Sequence, residues 1–146
     1  DKILFYSTTD AYGEFSNFAA YPIKVDGKTW PTSEHYFQAM KFENAAWAEK
    51  IRLTKKPMIA ARMGRDRSQK LRSDWDSVRV MVMTKAVRAK FDQHDKLKEL
   101  LLCTGERTLV EHTTCDRYWG DGGDGSGQNM LGRILMQIRD ELKAKQ

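Results

Sequence analysis

The chain contains 146 residues, of which 40% are hydrophobic and 31% are charged. This composition excludes an intrinsically disordered or collagen-like protein, and the length predicts a single domain, residues 1–146, with one hydrophobic core. Lys and Arg outnumber Asp and Glu by 25 to 20, which favours an anionic partner such as a phosphate, a nucleotide or nucleic acid. There is no long apolar run and no signal-peptide layout in the first residues, so we expect no membrane partner.

Cysteine and histidine residues give no indication of a metal site. Cys103 and Cys115 are not part of a CxxC pair, and the histidines are scattered at His35, His94 and His112. Because zinc sites need such residues at close and regular spacing, we predict no metal. We favour two thiols in a reduced compartment, and therefore a cytoplasmic protein, while a disulfide between the two cysteines stays open.

The first half of the chain is predicted to contain a strand, a hairpin and three helices. The hairpin is indicated by Asp26-Gly27, a strong two-residue turn signal between alternating apolar residues. Hydroxyl residues in Pro31-Thr32-Ser33 are typical of a helix start, and Pro57 suits the first turn of a short helix that Gly64 can end. The predicted elements are a strand at Ile3–Ser7, the hairpin at Tyr21–Trp30, and helices from Thr32 or Ser33 to about Phe42, over Ala45–Leu53 and over Met58–Met63.

The second half is predicted to be mainly helical. The helices are a core helix at Ser77–Phe91, one from Asp95 to Thr104-Gly105 and one at Asn129–Lys143, with a strand at Thr108–His112. Apolar residues at helical spacing mark the buried faces of the first and last of these helices. They are Val78, Met81, Val82, Ala86 and Ala89 in the core helix, and Leu131, Ile134, Leu135, Ile138 and Leu142 in the last. The expected fold is therefore α+β, a helix-rich domain with a small β-sheet.

The early helix, PTSEHYFQAMKF, carries the first candidate site. Glu34, Gln38 and Lys41 are spaced by four and three residues, so they share one helix face. Glu34 lies in the first turn, where the helix dipole favours the ionised carboxylate. This face predicts either a preorganised carboxylate in a cleft or an ordinary helix-terminal charge in water. His35 points away from the face and is expected to be structural or exposed.

A glycine-rich segment, WGDGGDGSGQNMLGR, is the second candidate. Glycines let backbone N–H groups surround an anion, and the helix that follows adds positive potential, so the segment suits a phosphate. It lacks the Lys-Ser/Thr of a P-loop and the context of a dinucleotide-binding turn. Trp119 is placed to stack on a base, with Asp116 and Asp121 beside it, whereas Asn129 can be a simple helix cap. A plain surface loop is the alternative.

A basic cluster forms the third candidate, ARMGRDRSQKLR, with Arg62, Arg65, Arg67, Lys70 and Arg72. Such a cluster can clamp a phosphate or lie on nucleic acid. The alternative is a solvated face in which the same side chains pair with Asp66, Asp74 and Asp76.

Long ordered motifs make the chain similar to the YbiA-like, or NADAR, family. The resemblance lies in FSNFAAYPIKVDGKTWPTSEHYFQAMKF, in Asp74-Trp75 with Arg79 and Met83 downstream, and in KFDQH, LLCTGERTLVEHT and DRYWGDGGDGSGQNMLGRILMQIR. It spans nearly the whole chain. It implies an α+β domain that acts as an N-glycosidase, cleaving the bond between a base-like amine and ribose 5-phosphate in early riboflavin intermediates. Other family members are associated with NAD and with removal of ADP-ribose from guanine in nucleic acid.

The same resemblance implies site residues. Glu34 matches the position expected to be catalytic, with Asp116 a weaker candidate. The residues expected to bind substrate are Asn17, Gln38, Lys41, Arg65, Trp119, Gly120, Gly122 and Asn129. A fixed carboxylate suits the oxocarbenium-like sugar of N-glycoside hydrolysis, Trp119 suits a leaving base, and Lys41 and Arg65 suit a phosphate. This chemistry needs no cofactor.

Two other classes of function stay open. A module that binds ADP-ribose or a nucleotide without hydrolysing it would share these pocket residues. A nucleic-acid-binding domain would instead use the basic cluster, and its affinity would fall steeply with salt.

Overall fold

The computed structural model describes residues 1–146 and shows six α-helices, four β-strands and one 3-10 helix, Gly13–Phe15. The strands and helices, in chain order, are β1 (Lys2–Phe5), β2 (Ile23–Val25), β3 (Lys28–Trp30), α1 (Ser33–Ala39), α2 (Ala45–Arg52), α3 (Pro57–Gly64), α4 (Trp75–Gln93), α5 (Asp95–Cys103), β4 (Thr108–Glu111) and α6 (Met130–Ala144). Each predicted helix and strand is present, which confirms the α+β class.

The structure differs from the sequence prediction in local details. The strands form two separate two-stranded sheets rather than one small sheet, because β1 pairs with β4 and β2 pairs with β3. Helix α1 ends at Ala39 rather than near Phe42, and α4 begins at Trp75 rather than at Ser77. The prediction of Met81 as a core residue is wrong, since Met81 is 65% exposed. The buried stripe of α6 is confirmed throughout.

The chain divides into two compact units. The terminal unit consists of Asp1–Ala19 and His94–Gln146, and the central unit consists of Ala20–Gln93.

In the terminal unit, a parallel pair of strands is covered by helix α6. Lys2 to Phe5 pair in register with Thr108 to Glu111, and α6 packs against β4. Gly132 of α6 allows a close approach, since a Cβ atom at this position would lie 2.1 Å from the carbonyl oxygen of Leu109. The contact between helix and strand therefore depends on a residue without a side chain.

In the central unit, helix α1 is the innermost element. Every residue from Ser33 to Ala39 is buried, and α1 contacts α2, α3, α4 and β3. The β2–β3 hairpin turns at Asp26 and Gly27, both with positive φ, as a two-residue turn of type I′ requires. Because α1 is enclosed by its neighbours, its polar side chains lie in the interior of this unit.

No helix in the chain combines the length and the apolar character needed to cross a membrane. Cys103 and Cys115 are free thiols and both are exposed, so the alternative of a disulfide between them is wrong.

We expect Gly132→Ala to destabilise the protein even though alanine is the better helix former. The added methyl group meets a backbone carbonyl that cannot move without disturbing β4, and overpacking of this kind costs about 1–3 kcal/mol. Urea unfolding measures the change in the free energy of unfolding, with exposed Arg133→Ala on the same helix as the control. Equal stability of wild type and Gly132→Ala would contradict the close approach.

Candidate active site

Glu34 is held in the first turn of α1 by a well-formed helix start. Thr32 is the N-cap, and its hydroxyl oxygen accepts a hydrogen bond from the backbone N–H of His35 at 3.2 Å. Glu34 is only 8% exposed, so the alternative of a helix-terminal charge in water is wrong. The carboxylate is instead enclosed in the central unit.

Gln38, one turn further along α1, contacts the carboxylate directly. Its Nε2 donates a hydrogen bond of 2.5 Å to Oε2 of Glu34. The predicted shared helix face is confirmed for Glu34 and Gln38 by this bond, which follows from the i, i+4 geometry of a helix. For Lys41 the prediction is wrong, because α1 ends at Ala39. Gln38 is itself only 6% exposed, so the pair is shielded from water.

Lys41 follows the end of α1 and lies in the electrostatic field of Glu34. Burial, aided by the positive charges of Arg67 and Arg65 and opposed by the attraction of Glu34, lowers the pKa of Lys41 from 10.5 to about 8. Its Nζ also lies 5.5 Å from the centre of the Phe37 ring. The central unit thus gathers cationic side chains near a buried carboxylate, which is an arrangement suited to an anionic ligand with a reactive sugar.

Arg67, which the sequence predicts only as a member of the basic cluster, also belongs to this group. Arg65 and Arg67 follow the end of α3, both are exposed, and Nη1 of Arg67 donates to the carbonyl oxygen of Gly64 at 2.9 Å. Other members of the cluster are used differently, since Arg72 forms an ion pair of 2.6 Å with Asp74. The alternating spacing of Arg65 and Arg67 after Gly64 is the only sequence signal that separates them from the rest.

Of the two predicted alternatives for His35, a structural role or exposure to solvent, the structure shows the structural role. It is fully buried, its Nδ1 lies 2.8 Å from the Thr32 hydroxyl, and its Nε2 lies 3.0 Å from the carbonyl oxygen of Thr54. A carbonyl can only accept, so Nε2 carries the proton and Nδ1 accepts from Thr32. Burial lowers the pKa of His35, although the Thr54 bond opposes this, and the ring therefore stays neutral and braces the start of α1.

The remaining predicted site residues belong to the terminal unit. There the glycine-rich segment is organised around Asp121, which is 6% exposed. One carboxylate oxygen accepts from the backbone N–H groups of Thr113 and Gly123, and the other lies 2.8 Å from Nδ1 of His112. Burial alone would raise the pKa of Asp121, but these hydrogen bonds and the His112 charge outweigh it and the pKa is lowered.

The segment uses many of its backbone donors for its own folding. The N–H of Gly122 donates to the Asp116 carbonyl, and that of Gly127 donates to the Asp121 carbonyl. At the start of α6, the N–H groups of Met130 and Leu131 donate to the carbonyls of Tyr118 and Trp119. The N–H groups of Gly122 and of the start of α6 therefore already have backbone acceptors, and the predicted phosphate-binding role of this segment stays a prediction.

Glycines here meet steric needs instead. Gly122, Gly123 and Gly125 have positive φ, and a Cβ atom at Gly120 would lie 2.9 Å from the carbonyl oxygen of Glu111. Close backbone approach and left-handed turns account for these residues without a ligand.

Asp116 and Asn129 have structural roles in the terminal unit. One carboxylate oxygen of Asp116 accepts from the backbone N–H groups of Tyr118 and Trp119, and this sets the turn before the glycines. Asn129 makes no side-chain cap. Its Oδ1 accepts from the N–H of Glu111 and its Nδ2 donates to the Leu109 carbonyl, so it bonds to β4 as a neighbouring strand would.

Trp119 and Asn17 are the remaining predicted substrate-binding residues of the terminal unit. Trp119 is half-buried and meets Tyr118 edge-to-face at 5.0 Å between ring centres, while Asn17 is buried. Their binding roles, like those of Gly120 and Asn129, stay predictions.

Comparison with known proteins gives concordant matches over the chain. The NADAR domain model matches residues 4–143. N-glycosidase YbiA of Escherichia coli is 64% identical over 140 residues, which cover 96% of this chain and 88% of that protein. A riboflavin biosynthesis protein of Vibrio vulnificus is 45% identical over 141 residues, covering 97% of this chain and 38% of that protein. The NMR structure of E. coli YbiA superposes with a TM-score of 0.91 at 62% identity, over 98% of this chain and 85% of that chain.

We predict that Asp121 stabilises the protein in a pH-dependent way. Its pKa is lowered in the folded state, so its contribution is fully present above the ordinary Asp pKa and is lost as the pH falls through the lower, folded value. In urea unfolding at a series of pH values, the stability difference between wild type and Asp121→Asn should be largest near neutrality and should shrink in acid. A difference that does not change with pH would contradict this role.

Proposed function

The chain belongs to the NADAR domain family, and on this basis we propose that it is an N-glycosidase, a hydrolase of the bond between a nitrogen and a sugar. Its E. coli relative is named N-glycosidase YbiA. The observation that carries the proposal is the buried Glu34 carboxylate held by Gln38, with the Lys41 charge near it.

Glu34 provides the chemistry that such a cleavage needs. As the bond to nitrogen breaks, positive charge develops on the sugar, and a fixed carboxylate stabilises this charge or activates the attacking water. Because Glu34 is shielded from water and oriented by a hydrogen bond, its interaction with a developing cation is stronger than that of a solvated carboxylate. We therefore propose Glu34 as the catalytic residue, and Asp116 has no comparable support because its carboxylate serves the turn.

Cationic side chains near Glu34 support a phosphorylated substrate. Lys41, Arg65 and Arg67 are close enough to influence one another, and the arginines are exposed and accessible. Guanidinium groups bind phosphate oxygens through parallel hydrogen bonds, and Lys41 adds a point charge. We propose that the substrate is the amine-linked ribose 5-phosphate of an early riboflavin intermediate, consistent with the name of the Vibrio vulnificus relative. The free, exposed thiols support a reducing compartment, and we propose a cytoplasmic enzyme.

We expect Glu34→Gln to retain the fold but to lower kcat by about 10²-fold or more, the scale of losing a positioned acid or base. Purified wild type and variant are incubated with the early riboflavin intermediate and, separately, with ADP-ribosylated guanosine. Mass spectrometry then measures the released base with ribose 5-phosphate or with ADP-ribose.

Release from the first substrate supports the proposed substrate, and release from the second alone assigns an ADP-ribosyl hydrolase. Binding of both without release would make the chain a binding module and overturn the glycosidase. Normal turnover by folded Glu34→Gln would remove Glu34 from the mechanism.

We predict that the apparent affinity for the phosphorylated substrate weakens in mild alkali. Lys41, with a pKa of about 8, is charged below that pH and neutral above it. From about pH 7 to about pH 9 the charged fraction falls roughly tenfold, so KM should rise by up to about tenfold. Lys41→Arg keeps its charge in this range. A KM that rises equally in wild type and Lys41→Arg would show that Lys41 does not bind the phosphate.

A further inference from the structure

We propose that Gln38 and Gly64 form a positioning pair for Glu34. Because Gly64 has no side chain, the Gln38 amide has room to hold the carboxylate in one orientation. This inference rests on the proposed function, because it assigns to Gly64 of helix α3 an effect on the reaction that is transmitted through Gln38 of α1. Neither residue touches the reacting bond in this account. Their effect is on where the Glu34 carboxylate points.

The hydrogen-bond pattern fixes the direction of the Gln38 amide. Its Nε2 donates to Oε2 of Glu34, and a rotated amide would bring its oxygen against the carboxylate, placing two acceptors together. In the observed direction, Oε1 is buried and accepts no hydrogen bond. The hydrogen bond to Glu34 therefore sets the orientation of the Gln38 amide, because the amide oxygen has no hydrogen-bond partner.

Gly64 provides the space in which that oxygen lies. A Cβ atom at residue 64 would be 1.8 Å from Oε1 and 2.6 Å from Cδ of Gln38, far inside van der Waals contact. Any side chain at this position must displace the amide. The glycine thus permits the orientation that the hydrogen bond to Glu34 requires.

No other local need explains a glycine at this position. Gly64 ends α3 and is not among the glycines with positive φ. In a helix, alanine is favoured over glycine. The backbone would accept alanine, so the constraint comes from the side chain of Gln38.

Orientation of a carboxylate affects kcat more than KM. The charge on the sugar appears only in the transition state, so a displaced carboxylate loses an interaction that the bound substrate does not yet make. Displacing the Gln38 amide removes no charge from Lys41, Arg65 or Arg67, the residues proposed to bind the phosphate. A defect confined to general stability would instead lower the amount of folded enzyme.

The test is a double-mutant cycle with Gly64→Ala, Gln38→Ala and the double variant, assayed on the substrate that wild type cleaves. Met58→Ala, an exposed position on α3, is the control. Thermal unfolding of each variant is measured in parallel. In the double variant only the Cβ of residue 38 remains near the new methyl group, at 3.3 Å, so the main clash is removed.

We expect each single variant to lower kcat by about tenfold or more with KM changed less than about threefold, a size typical of misplaced catalytic groups. The double variant should match Gln38→Ala alone, because Gly64→Ala then has no amide to displace. Multiplied losses in the double variant, or normal kcat in folded Gly64→Ala, would overturn the pairing.

A separate readout distinguishes failure of this inference from failure of the proposed function. In ¹⁵N-labelled protein, the side-chain amide signals of Gln38 should move in both Glu34→Gln and Gly64→Ala, while Met58→Ala leaves them in place. If wild type cleaves neither substrate, the glycosidase proposal fails and these signals still decide the pairing. Unchanged Gln38 signals in Gly64→Ala would overturn it whatever the activity.

Discussion

The central unit is built around the buried carboxylate of Glu34. Enclosing an ionised Glu34 is costly unless charges and hydrogen bonds replace the lost solvation. Gln38 supplies a direct donor, Lys41 supplies a nearby positive charge, and the first turn of α1 supplies the positive end of the helix. The hydrogen bonds and charges that a buried Glu34 carboxylate requires account for much of the polar interior of this unit. It explains why a short helix with wholly buried residues carries Glu and Gln on the same face.

The supports of that carboxylate extend beyond its immediate neighbours. His35 faces another direction from α1 and joins the Thr32 cap to the Thr54 carbonyl, so the turn that holds Glu34 is also bonded to the segment that follows α2. Arg67 bonds to the last residue of α3 and contributes to the positive field at Lys41. The start of α1, the end of α3 and the cationic residues therefore act on one site, although they lie in different parts of the sequence.

The spacing of residues along α1 made the centre of this site predictable. The packing of α3 against α1 could not be predicted from the sequence. Glu34 and Gln38 were identified because helical geometry alone brings such positions together. Lys41 follows the end of α1, so the helical spacing that predicted it does not extend to its position. The importance of Gly64 depends on how α3 meets α1, and no pattern within either helix encodes that contact. Met81 was misassigned to the core since helical periodicity shows that a residue shares a face but not how far the covering elements extend. In the glycine-rich segment, composition suggested open amide donors, but it does not show that Asp116, Asp121 and nearby carbonyls already use them.

The pairing of β1 with β4 also orders events during synthesis. Lys2 and Thr108 lie in register, so β1 has no partner strand until β4 has been translated. The central unit, in contrast, is one uninterrupted segment, Ala20–Gln93, whose helices and hairpin are all translated before β4. Contacts close in sequence form at a smaller entropic cost than distant ones. Ile3 and Phe5, which are buried in the finished protein, therefore have no partner strand until β4 is made, and chain release before that point would leave β1 unpaired.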